Sequence, residues 1–86
     1  MRPRLSFPVV IVGPIANGAR EHAAIITRVW DADADTANGP AIINALMFPD
    51  GGGEPQFQNQ VVLYDSKQAA IDSGDTRRVA YWAANS

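Results

Sequence analysis

The sequence predicts a mainly β domain: a small five-stranded barrel or strongly curled antiparallel sheet, with one short helix at about residues 66–73. Three observations predict it. Five short apolar runs alternate with clusters of turn-forming residues, the spacing of a small sandwich or barrel. Only one segment, Ser66–Gly74, carries helix signals. The chain has 86 residues, which makes one domain (1–86), and 47% of them are apolar, enough for a folded core.

The first run, Phe7–Val12, is β-branched and is closed by Gly13-Pro14. A loop over Ile15–Glu21 follows, in which Asn17-Gly18 is a strong turn signal. His22–Trp30 is the best strand candidate. Strict alternation sets Ala23, Ile25, Thr27 and Val29 on one face and Ala24, Ile26, Arg28 and Trp30 on the other. Both faces are largely apolar, so the strand is expected to be covered on both sides or to lie at an interface. Asp31–Pro40 reads as an acidic loop.

Ala41–Phe48 fits a strand or two helical turns by period alone. Pro40 before it and Pro49-Asp50-Gly51-Gly52-Gly53 after it leave only a strand length between them. Phe57–Tyr64 is the fourth strand, and Pro49–Pro55 becomes a hairpin loop. In Ser66–Gly74, Ser66 caps the first turn, Ala69 and Ala70 favour helix and Gly74 ends it. Arg77–Trp82 is the fifth strand.

Composition removes several functions. With no cysteine there are no disulfides and no thiolate metal sites, and the single histidine, His22, cannot form a cluster within one chain. A chain this short buries only about 60% of its unfolded surface, so self-association is the expected source of extra stability. The net charge of −2 and thinly spread basic residues disfavour a nucleic-acid polymer as partner. The apolar run Phe7–Val12 is too short for a signal sequence and is broken by Pro8, and nothing approaches the ~20 apolar residues of a membrane span. A cytoplasmic protein is expected.

Three motifs invite chemistry. Asp31-Ala-Asp33-Ala-Asp35 opens like a calcium loop, but Thr36 stands where glycine belongs and Ile42 where the bidentate glutamate belongs. Gly51-Gly52-Gly53 lacks the lysine of a phosphate loop and runs into Glu54-Pro55. His22 beside Arg20-Glu21 mixes acid and base, yet no cysteine or strained serine is available as a nucleophile. No catalytic residue, metal site or cofactor is therefore expected. The candidate ligand- or partner-binding residues are Arg20, His22, Arg28, Trp30, Arg77, Arg78, Tyr81 and Trp82. Guanidinium groups beside aromatic rings can stack a base and neutralise a phosphate, and the same residue types dominate protein interfaces.

The words Arg20-Glu-His-Ala-Ala-Ile-Ile-Thr-Arg-Val-Trp30, Ile43-Asn-Ala-Leu-Met-Phe-Pro-Asp-Gly-Gly52 and Val61-Val-Leu-Tyr-Asp65 resemble, in that order, a family of short tailed-bacteriophage and prophage proteins. The resemblance covers about residues 18–65. It implies a viral origin and a Src-homology-3-like barrel. The family's Trp-His-Trp-Pro-like ending is replaced here by Arg78-Val-Ala-Tyr-Trp82, and Ser66–Gly74 looks like an added element.

Two functions follow as expectations. One is a non-enzymatic homo-oligomer in the host cytoplasm that sequesters a small host ligand, such as an immune-signalling nucleotide, as a counter-defence. The other is a virion accessory protein, a capsid decoration or tail component, docked on a phage structural protein.

Overall fold

The computed structural model describes residues 1–16, 19–49 and 54–85. Five strands, β1 (Pro8–Ala16), β2 (Ala19–Val29), β3 (Ala41–Phe48), β4 (Gln56–Tyr64) and β5 (Val79–Trp82), close into a barrel in the order β1-β2-β3-β4-β5. A helix, α1 (Lys67–Asp72), joins β4 to β5, and a 3-10 turn, Ala83–Asn85, follows β5. This is the small Src-homology-3-like barrel, closed rather than merely curled.

Closure follows from the connections. β1 to β4 form an antiparallel meander, and β5 returns antiparallel to β1. β5 lies parallel to β4, and a parallel pair needs a crossover, which α1 supplies. Ser66 accepts the Ala69 amide to cap α1, and Gly74, at φ 63°, takes the left-handed conformation that ends it.

Inward positions fill the barrel. Val9 and Ile11, Ala24 and Ile26, Ile43, Ala45 and Met47, Val61 and Leu63, and Ala80 and Trp82 form one buried cluster. Three alanines among them leave room for the Trp82 indole. α1 packs outside, on β4 and β5. Beneath it Val62, Ala70 and Tyr81 are buried without belonging to the barrel cluster, so the helix covers a second small core.

Several expectations need correction. β1 does not stop at Gly13-Pro14 but runs on to Ala16, with an irregular register between Val12 and Ala16. The pair Ala16↔Ala19 brackets the expected Asn17-Gly18 turn, which lies outside the described residues, as does Gly51-Gly52-Gly53. β2 begins before His22, at Ala19, and β5 begins only at Val79.

The strict alternation of β2 also fails. Ile26 pairs with Ala45 but Arg28 with Asn44, so Thr27 is an extra residue on β2. This bulge turns Val29 toward the core and leaves Arg28 and Trp30 exposed, off the face of Ala24 and Ile26. Nor is β2 covered on both sides. Its outer face, with Ala23 exposed and Ile25 half-buried, faces solvent within the single chain.

Candidate functional site

Strand directions give the barrel two unlike ends. At one end β1 starts and β5 finishes, and a polar plug closes it. The buried Thr36 hydroxyl accepts the Trp82 indole N–H at 2.8 Å and lies 2.7 Å from an Asp65 carboxylate oxygen, to which it donates. The Met1 carbonyl accepts the Thr36 amide, and the Met1 amine contacts Asp35 at 2.8 Å. Asp31 and Asp35 otherwise accept the amides of Asp33 and Ala37, so the acidic loop is braced by its own backbone.

At the other end β1 finishes while β2 and β5 start, and basic groups gather there. Gly13 is a close-approach point: a Cβ there would lie 3.1 Å from the Arg78 guanidinium and 3.4 Å from the His22 ring. His22 itself is buried. Beside this end a cleft of about 670 Å³ opens between α1 and the barrel. Val12, Val79, Ala70 and Ile71 give it apolar surface, and Arg20, Glu21, Lys67 and Asp75 ring it with charge.

Two ionic clusters hold that ring in shape. The Lys67 ammonium meets Glu21 at 3.0 Å, and the same carboxylate accepts the Tyr81 hydroxyl. Glu21 points outward from β2 and reaches across β1, tying the helix to the barrel. The Lys67 contact holds the Glu21 carboxyl below its ordinary value. Burial, reinforced by Glu21, pushes the Tyr81 phenol up to about 12.

In the second cluster Arg77 grips Asp75 with two bonds, at 2.9 and 2.8 Å, and the Tyr64 hydroxyl donates to Asp75 at 3.1 Å. The guanidinium holds Asp75 well below the usual carboxylate range. The Asp75 carboxylate likewise raises the Arg77 guanidinium.

Of the residues singled out from the sequence, Arg20 lines the cleft, the Arg78 guanidinium and the His22 ring lie beside Gly13, and Tyr81 and Arg77 reach the cleft only through their bonds to Glu21 and Asp75. Among the described residues no carboxylate forms an ion pair with Arg20 or Arg78. Arg28 and Trp30 lie at the opposite end of β2, where the guanidinium stacks 3.8 Å from the indole centroid. The Trp30 N–H donates to Asn44 at 2.9 Å, and Asn44 also accepts the Gln60 amide at 2.9 Å. Trp82 belongs to the barrel interior. β2 and β5 are not neighbours, because β1 runs between them.

Sequence reasoning passed over Glu21, Lys67 and Asp75 as cleft residues. Glu21 stood in the sequence as the acidic neighbour of His22, but its reach across β1 depends on barrel closure. Lys67 opens α1 and Asp75 follows it, and they face the cleft only because α1 folds back over the sheet. Among the described residues no three His, Asp or Glu side chains gather as a metal ion requires, and no helix is long and apolar enough to cross a membrane. No family model matches this chain, and no curated protein or solved structure matches it significantly.

Proposed function

We propose that the protein is a non-catalytic binding protein whose cleft beside α1 takes a small anionic ligand with a flat apolar part, of the nucleotide class. The observation that carries this reading is the pairing of an apolar floor, Val12, Val79, Ala70 and Ile71, with Arg20 at the margin and no ion pair to neutralise it among the described residues. An anion would meet the guanidinium while a base or similar ring lies on the floor. Glu21–Lys67 and Asp75–Arg77 would keep the walls apart before the ligand arrives, which lowers the ordering cost of binding. The resemblance to short phage proteins supports a stoichiometric role, the sequestration of a host signalling nucleotide in the host cytoplasm.

Thermal unfolding with a panel of linear and cyclic nucleotides tests the reading. A ligand at 100 times its dissociation constant stabilises by about 2.7 kcal/mol, a rise of several degrees for a domain this small. The expected result is a rise with at least one nucleotide and a smaller one with inorganic phosphate, which cannot use the floor. Arg20→Ala should abolish the shift while leaving the unliganded melting temperature unchanged. A complete panel without any shift, together with tens of copies of the protein in purified phage particles, would replace this reading with that of a virion component.

A further inference from the structure

Val12 pairs with Glu21 on β2 and with Val79 on β5, and all three line the cleft beside α1. The residues adjoining this row on the side of the barrel mouth are Arg20, Gly13 and Arg78. The missing side chain at Gly13 admits the Arg78 guanidinium, whose Nη1 would lie 3.1 Å from a Cβ placed there. Two arginines thus rise from the chain on either side of one glycine, at the margin of the apolar floor. Neighbouring strands stand roughly 4.8 Å apart, so their two backbones are roughly 10 Å from each other. Two long side chains can close that gap on a single ion.

Arg78 is half-buried, and among the described residues its guanidinium meets no carboxylate, nor does that of Arg20. A cation drawn out of water without a counter-charge costs stability, and a bound anion offsets that cost. The carboxylates that line the cleft are already engaged. Glu21 is held by Lys67 and Tyr81, and Asp75 by Arg77 and Tyr64. What stays uncompensated is the charge of Arg20 and Arg78, which matches a dianion.

We propose that Arg20 and Arg78 together hold a terminal phosphate monoester, so that the cleft takes a linear nucleotide ending in a phosphate and discriminates against cyclic phosphodiesters. Its nucleoside part rests on the cleft reading above, whereas the phosphate site stands on the two arginines and Gly13. A phosphate monoester carries nearly two negative charges at neutral pH and presents three acceptor oxygens, enough for the donor fork of each guanidinium. A cyclic diester carries a single charge and has an ester bond where one of those oxygens would be. One guanidinium then stays unsatisfied.

Titration of the isotope-labelled chain with inorganic phosphate, followed by NMR, tests the site without any nucleoside. The Nε–H signals of Arg20 and Arg78 should both move, and dimethyl phosphate, a diester, should move them far less at equal concentration. Adenosine monophosphate and its cyclic form then compare the two classes on one base, and the linear form should bind roughly tenfold or more tightly. Arg78→Ala should remove that preference by weakening the linear form alone. Gly13→Ala, whose methyl group would press on the guanidinium, should reduce it while both charges remain. The wild-type titrations decide the matter even if a variant unfolds. An Arg78 signal that phosphate leaves in place, or a diester bound as tightly as the monoester, would overturn the proposal. A whole nucleotide panel that binds no better than phosphate, with both arginines responding, would instead overturn the nucleoside reading and uphold the phosphate site.

Discussion

Thr36 sits in a loop that reads as acidic and solvated, yet it is buried and joins three parts of the chain. Its hydroxyl bridges the Trp82 indole and Asp65, while its amide holds the N-terminal segment. Thr36→Val keeps the shape and removes the acceptor, leaving a buried indole N–H without its partner. The cost of such an orphan is about 1–3 kcal/mol, so the urea midpoint should fall while Thr36→Ser stays near wild type.

Tyr81 offers a second test at the same scale. Its ionisation is displaced from an ordinary value of 10.0 to about 12 because the fold buries the phenol and the Glu21 carboxylate accepts a hydrogen bond from its hydroxyl. A raised folded value favours the neutral form. The contribution is therefore complete below pH 10 and is lost as pH rises through about 12. Absorbance at about 295 nm, the usual tyrosinate signal, should show one of the two tyrosines ionising only near pH 12, together with unfolding. Tyr81→Phe should flatten the loss of stability over that window; an unchanged profile would remove the Glu21–Tyr81 bond from the account.

Among the elements, β2 and β4 gain their special geometry from irregularities that face one another across β3. Thr27 is the extra residue on β2. On β4, Ile43 pairs with Val61 but Ala45 with Gln58, so that strand bulges too. The β4 bulge holds Gln60 at φ 54°, where a side chain costs roughly 1–2 kcal/mol relative to the right-handed region. The Asn44 side chain, between the bulges, accepts the Gln60 amide and keeps it there. Gln60→Gly removes the side-chain penalty and retains the amide. It should raise stability by a few tenths to about 1 kcal/mol, the gain being reduced by glycine's freedom in the unfolded chain. Equilibrium denaturation checks the sign, and a loss would show that the Gln60 side chain contributes more than its backbone position costs.

For the whole molecule, closure decides how the parts can act. It fills the interior with side chains, so a ligand must use the outside, where α1 stands off the sheet beside Val12 and Val79. It also sets the cleft apart from the polar plug around Thr36, so Thr36→Val should leave any nucleotide-induced rise in melting temperature intact.

By itself the sequence determined the five strands, the helix between Ser66 and Gly74 and a barrel-like class. These rest on local chemistry: β-branched runs, proline and glycine at the turns, a serine cap. Ala41–Phe48 was legible to the residue because Pro40 and Pro49 bracket it. Of the cleft itself, only Arg20 stood out in the sequence. The tertiary structure alone decided the rest. A single extra residue at Thr27 inverts every later side chain of β2, so Arg28 and Trp30 fall outside the face that alternation assigned them. Trp82 turned inward because closure brings Thr36 to its indole, and Glu21 became a strap because β1 lies between it and Tyr81. Bulges and closure depend on partners distant in the chain, and no local pattern records them.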